Sequence, residues 1–357
     1  MRWITARFGS MCVLGALAAA ASGQIPAPAG KTSGPGVQSL ADSREPDVLK
    51  TCKVPPAGRG GRGGQGKGKG GPPAAPGPRE YTVMEISGVV AAGAQWKEVW
   101  QVDGNNADGI IATSDGGLLI AQNDNSDVVK LDKNGKTSIA FSGTNTGGSV
   151  AMSAKGALFV ANRGLNPSID ELKPRRTTLA NKYNGDPMDC IGVVLNDISA
   201  DSKGGVYFTM GTVYYADAKG NVTKYGENLN TNGIVLSADE KRLFVTNGPA
   251  LVVFDVGKDG ALGNQREFAK LEAGGGGDGS TFDTMGRLYV TTNAGVQVIS
   301  PDGKYLGLIP TPRGVISVAF SGPDRKILYA VSRDNAQNKD WIIAISMLAQ
   351  GPKGRGK

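Results

Sequence analysis

From residue 80 onward, apolar residues fall in short runs separated by Gly, Asp, Asn and Lys, and no long stretch carries a helical period. One unit recurs. A turn rich in Asp, Gly or Lys is followed by an apolar triplet: Leu118-Leu119-Ile120, Leu158-Phe159-Val160, Val206-Tyr207-Phe208, Leu243-Phe244-Val245, Leu288-Tyr289-Val290 and Leu328-Tyr329-Ala330. Their first residues lie 40, 48, 37, 45 and 40 positions apart. Upstream of each triplet sits a second short run, such as Ile110-Ile111-Ala112 or Gly233-Ile234-Val235-Leu236. Downstream comes a third strand ending in a turn such as Asp132-Lys133-Asn134-Gly135 or Pro301-Asp302-Gly303-Lys304, and then a fourth, as in Tyr305–Ile309. Four strands in about 40 residues is the size of a propeller blade.

Six such units fill residues 108 to about 347, so the pattern predicts an all-β, six-bladed β-propeller. Two further runs, Tyr81–Ile86 and Trp96–Val102, are expected to close the ring by pairing with the last blade. An open β-solenoid or a sandwich is the competing architecture, but repeat length and strands per unit favour the propeller.

The ends of the chain read differently. Residues 1–23 have the form of an export signal: Arg2 and Arg7, an apolar stretch from Met11 to Ala21, then the small residues Ala21-Ser22-Gly23. That stretch is too short and alanine-rich to span a bilayer well, and no second hydrophobic stretch approaches membrane length. Residues 24–79 form a linker whose Gly58–Gly64 and Gly66–Pro73 runs cannot bury a core and are expected to be disordered. Residues 80–350 make the propeller and 351–357 a basic tail, in a protein expected to be periplasmic or extracellular and monomeric. Of the three cysteines, Cys12 falls in the signal, leaving Cys52 and Cys190 either to bridge the extension to the folded body or to stay as free thiols.

Net charge is +7, but the basic residues concentrate in the signal, the linker and the tail, leaving residues 80–350 at −4. A mildly acidic body does not track phosphates, so no nucleic-acid partner is expected. The chain has no histidine, which removes the Ser-His-Asp arrangement and most zinc sites; with no Cys-x-x-Cys-His element, covalent c-type haem goes too. A metal here would be held by carboxylate, amide and carbonyl oxygens, which favours a hard cation such as Ca²⁺.

Counting back from each triplet finds the start of each innermost strand. Asp108, Asn196 and Asp278 lie ten residues before their triplets, and Asn232 eleven, with one extra residue in its turn. Blades 2 and 6 have Gly148 and about Ile316 there. Rotation about the propeller axis gathers these positions at one mouth of the channel. Asp and Asn are ordinary turn residues, yet four in register, three followed by Gly, point to a shared site. Carboxylates confined together are costly, and a cation relieves that cost.

The stretches Leu195–Asp201 with Gly205–Thr209, Asn232–Asp239, Asp278–Asp283 with Gly286–Val290, and Phe320–Asp324 resemble the senescence-marker-protein/gluconolactonase/luciferin-regenerating-enzyme family over roughly residues 105–347. The resemblance implies a six-bladed propeller that binds one divalent cation, with hydrolysis of lactones or related esters as the commonest activity; the oxygen donors make Ca²⁺ the expected ion, with Zn²⁺ or Mg²⁺ as alternatives. It places metal ligands on Asp108, Asn232 and Asp278, a substrate-binding asparagine on Asn196, and the general base on Asp278. Two departures stand out. The family's first ligand is normally a glutamate in Glu-Gly-Pro, where this chain reads Asp108-Gly109-Ile110. The arginine that often precedes the Asn-Asp pair is replaced by Val194, for which Arg163 could substitute from blade 2. The expected function is therefore an exported, metal-dependent, gluconolactonase-like hydrolase acting on a small lactone or ester. The alternative is a non-catalytic binding propeller with a structural metal ion.

Overall fold

The computed structural model describes residues 42, 44–56 and 78–354. The export signal, the Gly-rich runs of the linker and the last three residues of the basic tail lie outside the described residues. Among the described residues there are six four-stranded antiparallel sheets and one two-stranded hairpin. Five sheets are built from consecutive strands. The sixth takes Val315–Ser321, Ile327–Asp334 and Lys339–Ser346 and adds Lys97–Asp103 as its outermost strand. This N-terminal strand ties the two ends of the ring together, as the run at Trp96–Val102 predicts.

The other run does not form a strand. Tyr81–Ile86 folds back on its own turn, with one bridge between Ile86 and Val90 and a bond from the Gly93 N–H to the Val83 carbonyl. Its apolar residues are buried all the same. Val83, Ile86, Val89 and Val90 pack against Val296, Val298 and Ile309 of blade 5 and Trp341 and Ile343 of blade 6. The hydrophobic signal was burial against two blades, not sheet pairing.

Each predicted triplet is the second strand of a blade. The triplets are apolar throughout because a blade is sandwiched between its neighbours. In blade 1, Leu118 and Ile120 face Ala319, Val331 and Ile342 of blade 6, while Ile111, Ala121 and Val128 face Val150, Leu158 and Val160 of blade 2. Strands buried on both faces lose the polar alternation of a one-sided sheet. The irregular spacings have local causes. The 48-residue step holds the hairpin Lys182–Tyr183/Asp186–Pro187 and the short 3-10 helix Met188–Ile191. The 45-residue step holds the nine-residue strand Leu262–Lys270 and a glycine loop with positive φ at Gly274 and Gly275.

Cys190, in that 3-10 helix, is joined to Cys52 as a disulfide, which pins the segment around the short helix Glu45–Leu49 to the connection between blades 2 and 3. The bridge spans 138 positions, a loop long enough to restrict the unfolded chain appreciably. Replacing both cysteines by serine is expected to cost about 2–4 kcal/mol in urea unfolding, with the propeller's circular dichroism retained. Among the described residues, no helix is long and apolar enough to cross a membrane.

Candidate functional site

The inner strands Ile110–Ala112, Gly147–Met152, Ile198–Ala200, Thr231–Leu236, Ser280–Phe282 and Val315–Ser321 contact one another in sequence around the axis and close from blade 6 to blade 1. Asp108, Asn196, Asn232 and Asp278 all stand four residues before the last paired residue of their inner strands, Ala112, Ala200, Leu236 and Phe282. The extra residue of blade 4 falls in its turn: Leu236 pairs with Leu243, whereas the equivalent pairs in blades 1, 3 and 5 are one residue closer. The backbone N–H groups of Asp108, Asn196 and Asp278 donate to the matching second-strand carbonyls of Ala121, Thr209 and Thr291. The four residues are therefore rotational equivalents.

The glycines that follow three of them have a packing role. A Cβ on Gly109 would lie 2.7 Å from the Ser149 Cα, and one on Gly233 would lie 2.1 Å from the Asp278 carbonyl oxygen. Adjacent inner strands converge here too tightly for a side chain. Other aspartates of the repeat do different work: Asp201 accepts from the N–H groups of Lys203 and Gly205, and Asp283 from those of Met285 and Arg287. These close turns far from the mouth.

A continuous polar network links the mouth residues. Arg163 is 3% exposed, and all five of its donors are engaged. Nε donates to the Leu195 carbonyl, Nη1 to Asp108 Oδ2 at 2.5 Å and to Asn123 Oδ1, and Nη2 to the carbonyl and Oδ1 of Asn196. A Cβ on Gly148 would sit 2.0 Å from the guanidinium carbon, so the glycine of blade 2 makes room for this arginine. Asn123 also donates to Asp108 Oδ2, and Asn196 donates to Asn232 Oδ1 at 2.6 Å. Position 194 is Val, and the guanidinium that meets Asn196 arrives from the neighbouring blade. Arg163 reaches the mouth, where it braces protein atoms. With every donor occupied, it has none left for a substrate.

Three residues of this network escape the backward count. Asn123, Arg163 and Arg333 stand five residues after the first residue of the triplets in blades 1, 2 and 6. Counting forward by five would have found all three. Arg333 donates from Nε and Nη2 to Asp340, from Nη2 to the Ala107 carbonyl at 3.2 Å, and to Asn105 Oδ1. Asp340 in turn accepts from the N–H groups of Asn106 and Ala107. This cluster fixes the loop that carries Asp108.

Charge is unevenly relieved. Burial pushes the Asp108 carboxyl upward, but Arg163, Arg333 and the Asn123 amide outweigh it and hold it below the ordinary aspartate value. Asp278 goes the other way. Burial and the negative charges of Asp108 and Asp197 push it up to about 7, against smaller opposing effects of Arg163 and a hydrogen bond from Asn232. A partly buried carboxylate in that condition favours a proton or a cation nearby.

The donor chemistry fits a hard cation. Asp108 Oδ1 has no hydrogen-bond partner among the described residues, Asn232 Oδ1 uses one lone pair on Asn196, and Asp278 supplies a carboxylate. The set mixes carboxylates with an amide. Among the described residues, no three His, Cys, Asp or Glu side chains gather as a metal centre by themselves. The opposite end of the channel is different in character. There a cavity of about 120 Å³ is lined by Ala112, Leu236, Phe282 and Phe320 and bordered by Pro352–Gly354.

Fold and mouth together define a six-bladed propeller with a carboxylate- and amide-lined channel entrance braced by arginine. The chain belongs to the SMP-30/gluconolactonase/LRE-like family, whose sequence pattern matches residues 137–334, more than half its length. A gluconolactonase of Zymomonas mobilis is 25% identical over 186 residues, covering 43% of this chain and 51% of that protein. The chain thus spans about half the length of this curated relative. Among solved structures, a gluconolactonase from Xanthomonas campestris aligns over 77% of this chain and 98% of its own at 20% identity, with a TM-score of 0.63. A calcium-binding protein, regucalcin, from Agrobacterium tumefaciens aligns over 72% and 96% at 17% identity, with a TM-score of 0.58.

Proposed function

We propose that the protein is an exported, metal-dependent hydrolase of lactones or related esters. The observation that carries this reading is the gathering of Asp108, Asn196, Asn232 and Asp278 as rotational equivalents at one polar mouth, where partial burial and the charge of Asp108 push the Asp278 carboxyl up to about 7. Membership of a family with gluconolactonase relatives supports the reaction type. The regucalcin relative, described as calcium-binding, supports Ca²⁺. The Cys52–Cys190 disulfide supports an oxidising compartment, periplasmic or extracellular.

Asp108, Asn232 and Asp278 would hold the ion. The chemistry that a divalent cation held there would supply is polarisation of the lactone carbonyl. Asp278 takes a proton from the attacking water as its oxygen bonds to the carbonyl carbon, and returns that proton to the ring oxygen when the ring C–O bond breaks. Asn196, fixed by Arg163 and Asn232, orients the substrate.

A screen of lactones and esters with and without a chelator tests the reading. Turnover lost on chelation and restored by Ca²⁺, Mg²⁺ or Zn²⁺ is the expected result. Hydrolysis indifferent to chelation, or none on a broad panel, contradicts it. The alternative, a non-catalytic binding propeller with a structural ion, draws on the Asp108–Arg163 pair, which ties up one carboxylate oxygen of the ligand set. Under that alternative Asp278→Asn leaves partner binding intact and there is no turnover to lose.

A further inference from the structure

Arg163 and Arg333 occupy equivalent positions in blades 2 and 6, the two neighbours of blade 1. Asp108 therefore has a guanidinium on either side, and the charges of both act on it. The two arginines differ in what remains unused. Arg163 has spent all five donors. Arg333 is clamped along one edge by Asp340 and from Nη2 by Asn105 and Ala107, while its Nη1 has no hydrogen-bond partner among the described residues. Its side chain keeps 11% of its surface exposed, and Nη1 is not among the buried atoms that lack a partner, so this end of the guanidinium meets solvent.

The clamp matters for binding. Asp340 is 1% exposed and grips Arg333 through two parallel bonds, so the guanidinium is held in one orientation before any ligand arrives. A preorganised cation with one open N–H₂ group, standing beside a polar mouth, recognises an anionic oxygen at little ordering cost. Since Nη1 is a single nitrogen, the contact it offers selects for negative charge rather than for the flat fork of a two-oxygen pair.

We infer that Arg333 is a substrate-binding residue of this mouth and that the site prefers lactones carrying a free carboxylate over neutral ones. The inference rests on the hydrolase reading above for its substrate class. The carboxylate of the substrate accepts from Arg333 Nη1 while the lactone carbonyl lies toward Asp108, Asn232 and Asp278. No covalent step involves Arg333.

The test compares D-glucaro-1,4-lactone, which carries a carboxylate, with neutral D-glucono-1,5-lactone, in wild-type, Arg333→Lys and Arg333→Gln proteins. For Arg333→Gln, kcat/KM on the anionic lactone is expected to fall by about tenfold or more, with the loss of one charge-assisted contact, and mainly through KM. Because Arg333 also helps fix the Asp108 loop, the neutral lactone loses activity too, so the readout is the ratio of the two losses: the anionic lactone should lose about tenfold more, and Arg333→Lys should recover part of the preference. A purely structural role for Arg333 would lower both substrates alike, and equal losses overturn the inference.

A binding arm separates this inference from the hydrolase reading. Isothermal titration of D-glucaro-1,4-lactone into Asp278→Asn protein and into the Asp278→Asn/Arg333→Gln double variant needs no turnover. Binding that weakens about tenfold in the double variant and with added salt upholds the role of Arg333 even if wild-type protein hydrolyses no lactone. Equal binding in the two variants, or none in either, overturns it.

Discussion

Asp278→Asn is expected to lower lactone turnover by about a thousandfold, the usual scale for losing a general base, while making the metal-free protein more stable. Both effects come from the same electrostatics. Asp278 sits at about 7 in the folded protein because burial, Asp108 and Asp197 disfavour its charge, whereas in the unfolded chain it titrates near the ordinary value of about 3.9. The folded value is raised, so the stability tied to protonated Asp278 is complete below about pH 4 and is lost as pH rises through about 7. Above that, the metal-free protein carries an ionised carboxylate in an unfavourable place. Asparagine keeps the shape without the charge. Chelator-treated Asp278→Asn protein at pH 8 should exceed wild type by about 1–3 kcal/mol in urea unfolding, below the roughly 4 kcal/mol that a shift of about three units could supply at most. The gap should narrow toward pH 4. Added Ca²⁺ should stabilise wild type and leave the variant unchanged. A variant less stable than wild type at pH 8 would show that Asp278 is an ordinary turn aspartate.

Arg163→Met should destabilise the protein by about 3–5 kcal/mol, the cost of stripping one partner from a buried ion pair. Asp108 would keep its charge in a site where its side chain is 14% exposed. The carbonyls of Leu195 and Asn196 would lose their donors, and Asn196 would lose its fixed orientation. Lysine should rescue little, because one ammonium cannot reproduce five contacts in a planar array. Equilibrium unfolding measures the loss, and adding Asp108→Asn to Arg163→Met should recover part of it by removing the stranded charge. Should Arg163→Met unfold within about 1 kcal/mol of wild type, below the range for breaking a buried pair, the brace would not be what organises the mouth.

The blades and the mouth were legible in the sequence for one reason: a repeat converts distance along the chain into position around an axis. Once Leu118, Val206, Leu243 and Leu288 were recognised as equivalent, counting back placed Asp108, Asn196, Asn232 and Asp278 on one ring, and the extra residue in blade 4 fell in the Ser237–Arg242 turn. What escaped lay in the other direction. Asn123 and Arg333 follow the triplets by the same step as Arg163, yet their chemistry depends on neighbouring blades, which no single repeat reveals. The saturation of Arg163 was hidden likewise, since its acceptors come from the two blades that flank its own. Tyr81–Ile86 misled because apolar residues packing across two blades look, in one dimension, like a strand.

A crystal structure of the protein grown with Ca²⁺ bears most directly on the claim that rotational repetition builds an ion site. A single calcium with an oxygen of Asp108, of Asn232 and of Asp278 each at about 2.3–2.6 Å is the predicted result. A mouth without calcium at saturating concentration, or calcium bound only elsewhere, would contradict it.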